Sequence, residues 1–221
     1  AKAGGPNYII QLMQPEQIAL PIEREALSPE LNVFVDKVKS GSWSVKNWEE
    51  WQASAGNYQF YWNQYFSKDH DPNKALGEDN LFGYVPHKQV VFRVQNEDKP
   101  LDVFRVILAA AICGTPLVLS CSNSNLMQLR VKEWKMLIQK LTVIEEDEDS
   151  FIKRLGNKEI VRVRILKDPS LALKNALAEA ACNVNKGPIL ANGRIELLNY
   201  LREVSVSNDY HRYGNLGDRE N

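Results

Sequence analysis

The chain predicts an α/β fold: a Rossmann-like parallel sheet with helices on both faces, preceded by an aromatic-rich helical segment. Three observations carry this. From residue 77 onward, short β-branched apolar runs alternate with amphipathic stretches of helical length. Before that point, Trp48, Trp51, Tyr58, Tyr61, Trp62 and Tyr65 fall mostly at three- and four-residue steps. The 221 residues are 44% hydrophobic and 25% charged, the composition of a globular chain with enough apolar surface for a sizeable core.

Taken in order, Pro29 opens a helix through Leu31, Phe34, Val35 and Val38 that Ser40 and Gly41 close. A second, aromatic helix is predicted over 45–66, with Gly56 as its weak point. Its ring stripe reads first as core and second as an interface. Residues 68–74 form a polar linker. His70 between Asp69 and Asp71 is expected in a solvated turn, because ligands adjacent in a loop lack the fixed geometry a metal needs. Strands follow at 89–94, 115–120, 142–144, 159–166 and 187–190, and helices at 101–113, 125–140, 150–155 and from Pro169 to near Cys182. The acidic run 145–149 is expected as a solvated loop at a helix N-terminus, where its charge suits the dipole. Leu197, Leu198 and Leu201 fall at helical spacing and predict a helix over 193–203, followed beyond Val204 by an extended tail.

Charge and composition exclude several classes. A net charge of −1 leaves no electrostatic footprint for nucleic acid. The longest apolar run, 106–113, is far shorter than the ~20 residues of a membrane helix, and no basic segment with an apolar core opens the chain. Cys113, Cys121 and Cys182 sit in apolar or small-residue sequence and read as reduced, buried thiols. A cytoplasmic location is expected.

The stretch 191–217 reads Ala-Asn-Gly-Arg-Ile-Glu-Leu-Leu-Asn-Tyr-Leu-Arg-Glu-Val-Ser-Val-Ser-Asn-Asp-Tyr-His-Arg-Tyr-Gly-Asn-Leu-Gly. It concentrates Tyr200, Tyr210, His211 and Tyr213 with Arg202 and Arg212, far more stacking and hydrogen-bonding capacity than a solubilising end requires. It resembles the C-terminal motif N-G-R-x-E-L-L-x-Y-L-R-E-x-x-V-S-x-x-x-H-R-Y-G-N-L of the long bifunctional proline utilization A enzymes, which join proline dehydrogenase to L-glutamate-γ-semialdehyde (1-pyrroline-5-carboxylate) dehydrogenase. At the other end, residues 2–8, Lys-Ala-Gly-Gly-Pro-Asn-Tyr, resemble a K-A-G-G-P-x-Y segment inside the catalytic module of that family. The resemblance implies a fragment of a larger enzyme divided as follows: 1–25, the end of the catalytic semialdehyde dehydrogenase module; 26–77, a helical aromatic-rich connector; 78–190, a Rossmann-like pseudo-dehydrogenase domain; 191–221, a C-terminal helix and lid-like tail.

Within that frame the functional positions fail one after another. Residues 77–86, Gly-Glu-Asp-Asn-Leu-Phe-Gly-Tyr-Val-Pro, are similar to the family's G-E-x-N-x-x-x-Y-x-P lead-in to a nucleotide fold, and 109–114 match its A-A-x-x-x-G helix end. The lysine and glutamate of the following K-P-A/S-E element, which would hold an adenosine ribose, fall on Ser120 and Asn123. The phosphate-loop glycine is absent ahead of Pro169, which also removes an amide donor. Neither the G-Q-x-C nucleophile motif nor the E-L-G-G base motif is present, and neither His70 nor His87 has an acid–nucleophile partner recognisable in the sequence.

The expectation is therefore a domain without catalytic, cofactor-binding or metal-binding residues. NAD, and FAD where a proline dehydrogenase module is joined, would belong to the parent enzyme. Its partner would be the catalytic module of the same chain, docked through Arg202, Glu203, Ser205, Ser207, Tyr210, His211, Arg212 and Tyr213 as a lid that seals the substrate passage; a homo-oligomer is also compatible. Two other readings stay open at this stage: an autonomous NAD-dependent aldehyde dehydrogenase-like enzyme with a divergent site, and a module that binds ligands in an aromatic cleft.

Overall fold

A computed structural model describes residues 20–40, 45–72, 74, 78–122, 134–136, 138–157 and 160–209. Five parallel strands form the central sheet: β2 (Val90–Arg93), β3 (Leu117–Cys121), β4 (Leu141–Glu145), β5 (Arg162–Ile165) and β6 (Asn183–Lys186). Their order is β4-β3-β2-β5-β6, so the chain winds outward first on one side of β2 and then on the other. This is the doubly wound arrangement that the alternating pattern predicts.

Helices cover both faces. On one, α3 (Pro100–Ile112) lies against the sheet, and α1 (Pro29–Lys39) and α2 (Val45–Tyr61) pack outside it, with Trp134 and Ile138 joining the same core. This second layer explains the composition of α3, which buries Leu101, Val103, Phe104, Val106, Ile107 and Leu108 all round its circumference. Arg105 crosses the helix interface, donating through Nε to Ser54 Oγ at 2.8 Å. Phe34, Trp51, Phe104 and Trp134 meet edge to face at centroid distances of 5.2–6.5 Å. Of the predicted stripe, Trp51 and Tyr58 are buried, and Trp48, Tyr61, Trp62 and Tyr65 pack partly buried against the same core. On the opposite face, α4 (Glu148–Gly156) and α5 (Leu171–Glu179) close a smaller core around Phe151, Leu155, Val163, Ile165, Leu173 and Leu177.

Gly56 does not interrupt α2, which runs through it and ends in a π-turn at Trp62–Phe66. The glycine permits a crossing instead: a Cβ there would come within 2.8 Å of Arg24 Cβ, and Gly56 O accepts the Glu25 amide at 3.0 Å. His70 is not in a solvated turn. It bridges Phe82 through both backbone groups and stacks on Tyr65 at 4.2 Å.

The C-terminal part departs most from expectation. The last strand of the sheet is Asn183–Lys186, not 187–190. Its side chains have weak β propensity, and pairing with β5 sets the strand. Gly187 N still donates to Ile165 O at 3.4 Å, but Pro188, without an amide hydrogen, ends the ladder. Helix α5 starts at Leu171 under a Ser170 cap and stops at Glu179, short of the span predicted from Pro169. The helix expected over 193–203 is only α6 (Gly193–Glu196) and a 3₁₀ turn, Leu197–Asn199. Leu197 and Leu201 are buried as their spacing implies, but Leu201 already begins β7 (Leu201–Asp209). β7 pairs antiparallel with β1 (Glu78–Pro86) in a separate two-stranded ribbon. Tyr200, expected on that helix, is fully buried at the ribbon base.

Candidate functional site

In an open sheet of this kind the ligand crevice lies beyond the carboxyl ends of the strands where the order reverses, here between β2 and β5. The chain's own side chains are engaged at these strand ends: Gln95 bonds across the gap, and Arg93 turns toward β3 and β4. Arg93, the last residue of β2, is buried and donates through Nη1 to Ser120 Oγ at 2.9 Å and to Glu146 O at 3.0 Å. Its guanidinium lies 5.3 Å from the Phe151 ring centroid. Burial pulls the Arg93 pKa down, and Glu146 and Glu148 push the other way. Ser120, where the family resemblance asks for a ribose-binding lysine, is therefore an internal partner of Arg93. Glu146 is not solvated, as the acidic run suggested. Its carboxylate pairs with Arg154, Nε donating at 3.1 Å, while Asp147 caps α4.

The two loops that flank the crevice are tied together. The Gln95 side chain accepts from Lys167 N at 3.2 Å and donates to Asp168 O at 3.4 Å. Lys167 Nζ reaches back to Glu97 O at 2.5 Å. The turn into α3 has Pro100 in its first turn and no side-chain cap. Glu97, Asp98 and Asp102 surround that helix start, and burial raises the pKa of Asp98 and Asp102. Asp102 pairs with Arg105 at 3.5 Å and Glu97 with Lys167 at 3.3 Å, so the charges at this helix start are matched within the chain.

No thiol is activated. Burial pushes Cys113 well up and Cys121 to about 11, and Cys182, also raised, donates to Ile160 O at 2.9 Å. Among the described residues, no group of His, Cys, Asp and Glu could hold a metal ion. No helix of the described residues is long and apolar enough to cross a membrane.

Of the docking residues read from the sequence, Arg202, Glu203, Ser205 and Ser207 lie on β7, opposite Val85, Tyr84, Phe82 and Asn80 of β1. Along one edge their backbone is bonded to this chain's own strand β1. Ser207 Oγ also donates to Asn80 Oδ1 at 2.9 Å. Tyr210, His211, Arg212 and Tyr213, together with residues 2–8 and Asn123, lie outside the described residues.

A second concavity escaped the sequence reading. Along β5 and β6, Arg162 stands opposite Asn183 and Arg164 opposite Asn185, forming the floor of a groove of about 480 Å³. Arg164, 3% exposed, pairs with Glu196, 1% exposed, at 3.3 Å. Leu190 N at 3.0 Å and Tyr200 Oη at 3.1 Å also donate to that carboxylate, whose pKa burial raises. The signal in the sequence was the alternation Arg162-Val-Arg164-Ile, in which one face of a buried strand is cationic.

No family model and no curated protein matches the sequence. Among solved structures, proline utilization A (PutA) from Corynebacterium freiburgense is similar over 96% of this chain, at 25% identity and a TM-score of 0.60. The chain spans 18% of the length of that protein. PutA from Bradyrhizobium japonicum aligns with 69% of this chain and 17% of its own, at 12% identity and a TM-score of 0.47. A variant of betaine aldehyde dehydrogenase from Staphylococcus aureus aligns with 71% of this chain and 36% of its own, at 14% identity and a TM-score of 0.49.

Proposed function

We propose that this chain is a non-catalytic, aldehyde-dehydrogenase-like domain of a PutA-type enzyme. In this role it buttresses the catalytic 1-pyrroline-5-carboxylate dehydrogenase module and helps to seal the passage of the semialdehyde during proline-to-glutamate oxidation. The observation that carries this is the switch point, where the chain's own side chains are engaged. A fold that elsewhere seats a dinucleotide here has Arg93 bonded to Ser120, and Gln95 stitched across the gap. Likeness over nearly the whole chain to C. freiburgense PutA supplies the context. NAD, with FAD in a joined proline dehydrogenase, would be bound by the rest of such an enzyme, in the cytoplasm.

The β1–β7 ribbon suits the docking role. Its base is anchored by Tyr84 against Phe66 at 4.8 Å and Phe82 at 5.0 Å. Farther along, Leu81 and Val206 stand opposite each other and exposed, an apolar pair for the catalytic module to cover. The alternative of an aromatic binding cleft loses support, because Trp51 and Tyr58 are buried and Trp48 and Trp62 pack against the same core.

Two experiments test the proposal. A calorimetric titration of the chain with NAD should give no saturable heat; micromolar affinity would overturn the non-catalytic assignment. In a full-length PutA-type enzyme carrying this domain, deleting 210–221 should lower coupled proline-to-glutamate flux and introduce a lag, with a smaller effect on added semialdehyde. A cut after Glu203 would also remove most of β7 and confound the result. An unchanged coupled rate without a lag would rule out the sealing role.

A further inference from the structure

We propose that the groove along β5 and β6 is a binding site for a small carboxylate anion. Its floor consists of two Arg–Asn rungs on one face of the sheet, Arg162 opposite Asn183 and Arg164 opposite Asn185. The opposite face of β5, Val163 and Ile165, is sealed in the smaller core, so the guanidinium side of that strand cannot turn over. The turn before α6 and the segment through Asn199 wall the groove.

The two arginines differ in how they are matched. Arg164 is held by Asn185 Oδ1 at 2.6 Å, Pro188 O at 3.2 Å and the Glu196 carboxylate at 3.3 Å. Its buried Nε nevertheless has no acceptor. Arg162, half-buried in the same groove, has neither a side-chain hydrogen bond nor an ion pair among the described residues. Burial lowers its pKa with no carboxylate acting against it. The remaining charges are accounted for: Lys186 pairs with Asp168 at 2.5 Å, and Glu196 is committed to Arg164. One positive charge is therefore left over at the Arg162 end. Its field reaches His87, whose pKa falls to about 4 through burial and then through Arg162 and Arg202.

A planar guanidinium without a partner, next to amides that can donate, matches a carboxylate bidentately. Asn185 is already positioned by its donation to Asn199, so the floor is ordered before a ligand arrives. The groove volume exceeds that of one carboxylate and leaves room for a polar metabolite body.

Citrate and, separately, inorganic phosphate would be titrated into the 221-residue chain at constant ionic strength, with calorimetry and thermal melting as readouts. Citrate should bind saturably and, at about ten times its Kd, raise the melting temperature by about 3–6 °C. Arg162→Gln should weaken citrate by about tenfold or more, and Arg162→Lys by less. Lys153→Gln, which removes the same charge from α4 on the other face, should leave affinity unchanged. If Arg162→Gln by itself alters melting, Asn183→Ala supplies an independent variant that should also weaken binding. Failure of citrate to bind, binding of phosphate alone, or binding that neither groove variant weakens would overturn the proposal.

Discussion

At the β2/β5 switch point, Arg93, Gln95 and Lys167 each end on another part of the chain. In the β5–β6 groove, among the described residues, Arg164 is matched except at Nε, and Arg162 has no partner. Both concavities belong to one sheet and both are lined with guanidinium groups. The difference shows that a Rossmann-like scaffold can lose its usual ligand position by engaging it in internal hydrogen bonds, while unfilled donors mark another part of the surface. Burial alone does not distinguish the two; the bookkeeping of donors and acceptors does.

The largest test of this contrast is Glu196→Ala. It leaves the Arg164 charge buried without its counter-ion and should destabilise the chain by about 3–5 kcal/mol, read from urea unfolding with an unchanged slope. A loss below about 1 kcal/mol would mean that Arg164 is solvated and the groove floor is not ordered.

Arg93→Met comes next. It removes two hydrogen bonds and the stacking on Phe151, and should cost about 2–3 kcal/mol. NAD should still not bind, because Gln95 remains bonded across the gap. If the variant gains NAD affinity, Arg93 alone was closing the crevice.

His87 gives a pH dependence. Its folded-state pKa of about 4 lies below the ordinary value of 6.5, so the unfolded chain binds the proton more readily in between. The contribution is fully present above about pH 6.5 and is lost as pH falls towards 4. With His87 only half-buried, the expected loss is about 1–2 kcal/mol after solvent screening. Melting of His87→Asn should lack this component; an identical profile would place the titration elsewhere.

The smallest effect is expected at Arg162. Arg162→Met removes a cation with no partner to strand, so stability should stay within about 0.5 kcal/mol of wild type. A loss of 2 kcal/mol or more would show that Arg162 is structurally engaged, and would bring the groove closer in kind to the crevice.

The sequence makes the fold class legible because β-branched runs and helical periods are local signals, and five strands fall where those signals lie or a few residues away. The aromatic stripe is equally legible, since ring spacing on α2 reports a buried face. What local pattern cannot show is which atoms meet. The substitution at Ser120 was visible as a missing lysine, but not that Arg93, 27 residues earlier, bonds to it. Arg164 and Glu196 are 32 residues apart, and only the β5–β6 register and the turn into α6 bring them together. The start of β7 was misread because Leu201 keeps helical spacing with Leu197 and Leu198, while the strand's conformation is set by β1, far away in the chain.

The ribbon formed by β1 and β7 also has a topological consequence. Residues 86 and 201 are paired neighbours, so all of the intervening α/β unit leaves and rejoins the ribbon at one point. The sheet is a loop hung on a two-stranded stem, and its two attachment points are already as close as a tight turn would hold them. Such a geometry brings the two ends of the unit together, while α1 and α2, which precede the stem, complete its larger core and bind the unit to the chain at a second place.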